Sequence, residues 1–559
     1  MLPWDSRHAD LILVVLGLLV YVPFLGARGL WFPDEPDVGE AIREMMVRGD
    51  WIVPTLGGHA WPDYPPMIYW LAHICADLLG GLSEFAIRLP SALCAVAMAW
   101  ATWRFARKRI GYCSAFLAAV VLMTAPHFAW QATNVHPDMC FAFFVAVGIF
   151  VYAQALDREQ RKARVAGFLA AFALFGLAFL SKHAIGLLLP GMVLFLWHAS
   201  YREWRQLLLL APLALVSLAV AFPWYWAYAS EVGAQSAWHE FNAQNFARFF
   251  SAVDRGHGGP WYYFLERIWG DFAPWSLLIP LALAHDFGRR IRDDRWMRLC
   301  FVWFVSFFVF FSLSRTKREV YLLACYPALA ILIADWISGR LRIWRDAGDS
   351  PVPGTHWLRI YLRSVGILLW MLGLVFLFVA VQPQVLLDRL HLPSSDNELF
   401  VGTLRLPAGL LGILLLAGGH FSLRCRRGER LGWALVGQAA TLACTWFLLA
   451  ALLFPVVDRV KCYRYPSEWI AERTSVDAPI GLFYPGRAHL KWTGFLYYSG
   501  RDVEILESWQ ALREFSRDHQ ASVLVVSQEA FELLATQPDA ATWKERELRK
   551  WQVGSTEYH

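Results

Sequence analysis

Charge is what this sequence has least of. Asp, Glu, Lys and Arg make up 17% of its 559 residues, where a soluble globular chain carries about a quarter. That is too little polar material to coat a water-facing surface. The basic excess is small, +5, and its Lys and Arg residues fall in short segments between apolar runs, so no patch for nucleic acid is present. No two of the nine cysteines have CxxC spacing, which removes a disulfide framework and a zinc site from consideration. Most, including Cys75, Cys94, Cys140 and Cys444, sit inside apolar runs and read as small packing residues. Internal repeats and low-complexity segments are absent. The first apolar run continues into "GARGLWF" with no small-residue cleavage site, so it is not a removable leader.

What the sequence does have is apolar runs of about 18 to 25 residues, the length of a transmembrane helix. Thirteen such spans are read: 10–27, 87–106, 112–131, 138–156, 164–181, 184–199, 206–228, 268–285, 298–314, 319–338, 358–382, 404–422 and 431–455. A further stretch, "PPMIYWLAHICADLLGG" at 65–81, would put Arg107, Lys108 and Arg109 outside if it crossed. Left on the outer surface or re-entrant, it lets the Lys/Arg bias fall inside at "DREQRKAR", "SYREWRQ", "GRRIRDDRWMR", "GRLRIWRD" and "RCRRGER" as well. The N-terminus is then inside and the C-terminus outside. The expected architecture is a polytopic α-helical membrane domain, 1–455, with outer connections 28–86 and 229–267. An outer module, 456–559, follows, alternating strand-like "IGLFY", "VEIL" and "SVLVVS" with helix-like "SWQALREFSRD" and "EAFELLA".

The first outer connection carries Asp34, Glu35, Asp37 and Glu40 within "DEPDVGE". Val38, Ala41, Ile42, Met45 and Met46 recur at helical spacing, which predicts an amphipathic surface helix over 35–48. Asp34 is placed as its N-cap, and Glu35, Asp37 and Glu40 read as helix-dipole and solvated-face residues. Asp34 differs because it sits beside Trp31 and Phe32 at the junction of span and helix, between low dielectric and whatever enters from the membrane. Asp63 precedes a rigid Pro-Pro and aromatic cluster in "WPDYPPMIYW", and Asp138, next to His136 in "NVHPDMCFAFF", is either a functional acid or ordinary helix-start punctuation.

Cations complete the pattern. Lys182 in "LAFLSKHAIGLLLP" lies between two apolar runs, where a charge is costly and usually functional. "SRTKREVYLL" places Arg315, Lys317 and Arg318 outside, against the positive-inside trend. Acids and bases gathered at one membrane surface suit an anionic head group on a lipid tail.

The stretches "PDEPDVGEAIREMMVRGDWIVPTLGG", "PPMIYWLA", "EFAIRLPSAL", "PDMCFAFF", "FLSKHAIGLLLPG", "HGGPWYYF", "PWSLLIP" and "SRTKREVYLLACYPALAIL", in this order over residues 1 to 340, resemble the bacterial aminoarabinose transferases of lipid A. They are similar, more distantly, to protein O-mannosyltransferases; both have the GT-C glycosyltransferase fold. The resemblance implies an inner-membrane enzyme that takes a sugar from undecaprenyl phosphate and moves it, on the periplasmic face, to an envelope glycolipid such as lipid A. It implies catalytic acids at Asp34 and Asp138 and a phosphate-binding role for Lys182. By the same resemblance Asn245, Arg248, His257 and Tyr326 face the substrates, and the C-terminal module is periplasmic. Two departures stand out: Asp63-Tyr64-Pro65 replaces a Glu-Lys-Pro sequence, removing a phosphate-binding lysine, and Asp37-Val38 replaces an Arg and a Tyr.

A single displacement predicts inversion, with Asp34 taking or orienting the acceptor proton and Lys182, with Arg315 or Lys317, neutralising the leaving phosphate. No obligatory metal is expected, although Asp63 and His257 form a two-ligand pair compatible with a divalent cation. Membrane lipids surround the protein, which is expected to act as a monomer. The competing reading is a flippase or transporter for a lipid-linked anion, which calls for internal inverted repeats that this chain lacks.

Overall fold

The computed structural model describes residues 6–31, 34–247, 258–286, 290–346, 355–385, 394–425, 430–475, 477–483, 493–501, 503–519, 522–526, 531–533, 551–553 and 556–558. Long helices dominate it, because in a bilayer each backbone N–H and C=O of an isolated segment must be satisfied within that segment. Among the described residues, nine helices are long and apolar enough to cross a membrane: Glu84–Ile110, Pro137–Leu156, Arg161–Lys182, Trp204–Val232, Arg295–Leu313, Glu319–Leu341, His356–Val381, Gly402–Cys425 and Leu431–Arg459. The chain is a multi-pass membrane protein. A tenth crossing arises if Tyr112–Thr124 and Pro126–Ala132, bent by 69°, count together. The bend sits at Ala125, extended at φ −68° and ψ 126°, the conformation a following proline imposes.

Four apolar helices are shorter: His8–Tyr21, Met67–Leu78, Ile185–Ala199 and Trp275–Ala284. Met67–Leu78 starts directly after Pro65-Pro66 and has 12 residues, about 18 Å of helix against a hydrocarbon core of about 30 Å. That length suits the surface or re-entrant placement read from the loop charges.

Two close approaches position the residues that matter below. Gly148 on the helix Pro137–Leu156 lets Phe175 come so near that a Cβ would lie 2.4 Å from its ring. After Lys182 the chain reverses through His183, at φ 60°, into Ile185–Ala199. A Cβ on Gly186 would lie 2.3 Å from the backbone of Ala178 and Phe179, so the reversal is pinned against the helix it leaves, and the position of Lys182 is fixed with it.

The predicted surface helix is present as Glu35–Arg48, ended by a left-handed Gly49 at φ 65°. Val38, Ala41, Ile42 and Met45 are buried as its periodicity requires. Its acids are not a solvated face. Glu35 and Glu40 are buried, and Asp37 accepts a 2.5 Å hydrogen bond from Thr493. Burial pushes the Glu40 carboxyl up to about 7, even though Arg43 holds it through two 2.7 Å bonds. The amphipathic pattern located the buried stripe but not the neighbours that cover the opposite side.

Those neighbours come from both ends of the chain. Glu35 lies between Arg28 and Arg88, accepting at 2.5 Å from Arg28 Nη1 and at 2.8 Å from both Nε and Nη2 of Arg88. The backbone N–H groups of Trp31 and Val135 add bonds of 3.1 Å each. Residues beyond 455 pack on the same connection. Asp458 accepts from Gly29 N at 2.8 Å and Trp31 Nε1 at 2.7 Å, and Tyr498 accepts from Leu30 N at 2.7 Å while donating to Glu84 at 2.9 Å. Arg464 pairs with Glu84. Further on, three parallel strands run in the order Val503–Leu506, Ile480–Phe483, Val523–Val526. The central strand Ile480–Phe483 is buried throughout, as a strand flanked by helices should be. The helix Trp509–Asp518, capped by Ser508, lays Leu512 and Phe515 against it.

Candidate active site

Asp34 occupies the N-cap position of the surface helix, but its side chain makes no capping bond. Its carboxylate instead forms an ion pair with Arg318, 284 residues away in the chain. The other nitrogen of that guanidinium, Nη1, lies 3.5 Å from the hydroxyl of Tyr64, which is 3.2 Å from His136 Nε2. His136 Nδ1 meets Asp138, whose second oxygen meets Lys182. Asp34, Arg318, Tyr64, His136, Asp138 and Lys182 thus form one continuous polar chain. It joins the two predicted acids to the predicted phosphate cation.

The acids differ in access. The Asp34 side chain is 42% exposed and that of Asp138 only 1%, so Asp34 is the carboxylate an incoming group can reach. Asp138, locked between His136 and Lys182, holds the lysine in place. Lys182 stands 5.0 Å above the ring of Tyr321 and 5.9 Å from that of Phe141. Burial opposes charge on Arg318, but Tyr64, Asp34 and Asp138 outweigh it and hold the guanidinium above its ordinary value. Burial, the largest influence on Tyr64, keeps its hydroxyl protonated, with Arg318 opposing and the nearby carboxylates adding to the effect.

The connection that follows the helix Trp204–Val232 closes on this site from one side. Its π-helical turn Ala243–Ala247 brings Gln244 Nε2 within 3.0 Å of Asp63. Asn245 accepts from Ala184 N at 2.9 Å and donates to Phe241 O at 2.7 Å, which ties it to the reversal after Lys182. Arg248 and His257 lie outside the described residues, and so does any geometry of the Asp63–His257 pair. Among the described residues, no group of three or more His, Cys, Asp or Glu side chains gathers as a metal site.

Three predicted residues fall elsewhere. Lys317 is buried and donates to the carbonyls of Phe311 at 2.8 Å, Ser312 at 2.7 Å and Ser314. It therefore satisfies the end of the helix Arg295–Leu313 instead of facing an anion. Arg315 is exposed, and the described residues show no bond from it to the polar chain. Tyr326 is buried with its ring 4.9 Å from Phe272; the tyrosine beneath Lys182 is Tyr321.

Arg318, His136 and Glu35 were not foreseen in these positions. The available signals were the three-cation segment, the histidine two residues before Asp138, and arginines embedded in "GARGL" and "EFAIRLPSAL". If Lys317 serves the helix end, Lys317→Met should lower thermal stability by about 1–3 kcal/mol while leaving lipid-phosphate affinity unchanged. Lost affinity at unchanged melting temperature would return Lys317 to the site.

In sequence and fold the chain is similar to known glycosyltransferases. The family model described as dolichyl-phosphate-mannose-protein mannosyltransferase matches residues 63–226. The undecaprenyl phosphate-alpha-4-amino-4-deoxy-L-arabinose arabinosyl transferase of Pseudomonas aeruginosa (strain LESB58) is 29% identical over 474 residues, 83% of this chain and 79% of that one. Its counterpart in Pectobacterium atrosepticum is 33% identical over 377 residues, 65% of each chain. In fold, the crystal structure of ArnT from Cupriavidus metallidurans bound to undecaprenyl phosphate superposes with a TM-score of 0.76 at 21% identity, over 99% of this chain and 98% of that one. The oligosaccharyltransferase of Archaeoglobus fulgidus follows at 0.53 and 14%, over 95% of this chain and 72% of that one. The chain has the GT-C fold, and the resemblance read from its motifs is borne out.

Proposed function

We infer that this GT-C-fold relative of the aminoarabinose transferases is a glycosyltransferase that moves a sugar from an undecaprenyl-phosphate donor to an envelope acceptor. The observation that carries the reading is the polar chain from Asp34 to Lys182, which sets a reachable carboxylate and two cations, Lys182 and Arg318, in one connected site. The acceptor oxygen attacks the anomeric carbon as the bond from that carbon to the phosphate oxygen breaks. The electron pair leaves on the phosphate, giving undecaprenyl phosphate, and the configuration inverts. With a hydroxyl acceptor the proton passes to Asp34; the cations stabilise the charge growing on the leaving group. Asp138 positions Lys182, and Asp63 and Asn245 organise the connection that covers the site.

The finer placement follows the same reading. The acceptor is a glycolipid of the lipid A type and the protein is a monomer in the bacterial inner membrane. Thirteen spans result if the bent pair and three of the shorter helices cross while Met67–Leu78 stays outside. The membrane domain covers 1–455 and the periplasmic α/β domain 456–559. No step requires a metal; a divalent cation held by Asp63 and His257 would add positive charge to the same region. A transporter would not need a part-exposed acid beside the phosphate cations.

The test is mass spectrometry of lipid A and other envelope glycolipids from a strain lacking this chain. The expected result is the loss of one sugar substituent, restored by the wild-type gene and not by Asp34→Asn. An unchanged glycolipid profile under conditions where the chain is expressed would overturn the reading.

A further inference from the structure

Asp34 has a competitor for its own role. A carboxylate that is to accept a proton needs an open oxygen, and one of the two on Asp34, Oδ2, is held by Arg318 Nη2. Of the two site cations, Lys182 already faces Asp138. The other, Arg318, has one edge on Asp34 and the other 3.5 Å from the Tyr64 hydroxyl, at the outer limit of a hydrogen bond. A guanidinium binds phosphate through two parallel donors, and this one is part-exposed, its side chain being 19% accessible.

The backbone beneath it is fixed on both sides. Lys317 is anchored to the helix end by its three carbonyl partners, and the 3₁₀ turn Glu319–Cys325 begins immediately after. Arg318 itself is extended, at φ −141° and ψ 140°, so exchange of partners needs only side-chain rotation.

We propose that Arg318 is shared between Asp34 and the donor phosphate: in the resting protein it neutralises Asp34, and the arriving lipid phosphate takes it over, freeing the carboxylate for the acceptor. No bond of the substrate changes in this step. One ion pair is exchanged for another, and both oxygens of Asp34 are open to the acceptor only once the donor is seated. The donor is thereby made to bind first. Arg318 also restores a cation beside position 64, where this chain has Tyr64. The proposal rests on the lipid-phosphate reading above.

The experiment measures binding of undecaprenyl phosphate to the purified full-length protein in nanodiscs. If Asp34 competes for Arg318, Asp34→Asn should bind about tenfold more tightly than wild type and Arg318→Ala about tenfold more weakly. The double variant should match Arg318→Ala, because without the cation there is nothing to release. A gain in affinity cannot come from misfolding, and Arg318→Gln takes the place of Arg318→Ala in the single and double variants if the latter is unstable. Unchanged or weaker binding by Asp34→Asn would sink the sharing, and so would a tenfold gain that persists in the double variant. Wild-type protein that binds no undecaprenyl phosphate would instead remove the functional reading, and the proposal with it.

Discussion

Asp34→Asn protein is expected to transfer sugar to a hydroxyl acceptor roughly two to four orders of magnitude more slowly than wild type, the usual cost of a lost general base. Asparagine has the size of aspartate, and the native side chain caps nothing, so the helix Glu35–Arg48 loses no bond from the change. A sugar hydroxyl is far too weak an acid to attack as an anion at neutral pH, which makes proton removal part of the barrier. A phosphate acceptor is different: with a second pKa of about 6 it is already ionised, and Asp34 would there only position groups. The rate loss therefore reports the acceptor's chemistry as well as the residue's role. Combined with tighter donor binding, it gives opposite movements in kcat and donor affinity, a signature that a merely loosened fold does not produce. Steady-state transfer with purified donor checks it. Wild-type turnover in folded Asp34→Asn would strip Asp34 of any part in the chemistry.

Glu35→Gln is expected to destabilise the protein by about 3–5 kcal/mol, the cost of leaving buried charge without its partner. Glu35 and Arg88 are both buried, Arg28 is 3% exposed, and the carboxylate is what keeps the two guanidiniums together. Burial alone would raise the Glu35 pKa, but Arg28 and Arg88 outweigh it and bring it from 4.5 down to about 2. The sign of the pH dependence follows. A carboxyl whose folded pKa is depressed stabilises the fold above its unfolded value and loses that contribution as pH falls through the folded one. The difference between wild type and Glu35→Gln should thus be full above pH 4.5 and shrink as pH drops toward about 2. Thermal unfolding in detergent across that range measures it, with Glu40→Gln as the contrast. Glu40 is held up at about 7 by burial, so neutralising it should cost little. Equal, small losses for the two variants would mean that the arginine cluster is not what secures this connection.

How much of this was legible beforehand depends on distance along the chain. Asp34, Asp138 and Lys182 could be picked out because each is a charged residue at the edge of an apolar run, where burial needs a reason. The surface helix was legible from its spacing. What could not be read was which charge answers which. "SRTKREVYLL" offers three cations of equal standing, and only the fold shows that Lys317 turns back to the carbonyls of the preceding helix while Arg318 reaches Asp34. Glu35 looked like a helix-dipole acid because its partners Arg28 and Arg88 stand in segments that appear unrelated. Tyr326 is implied by the resemblance alone, whereas the tyrosine beside Lys182 is Tyr321, in the 3₁₀ turn Glu319–Cys325.

The contacts of Asp458 and Tyr498 with Gly29, Leu30 and Trp31 have a consequence for biosynthesis. The segment just before Asp34 leaves the ribosome well ahead of Asp458, which accepts from Gly29 and follows 429 residues later. At about 5–20 residues per second, that separation leaves the connection without its clasp for about 20–90 s. Every chain therefore passes through a period in which Gly29 and Trp31 are made but not yet held by Asp458. The first connection is thus closed by Asp458 only after the helices between them have been made.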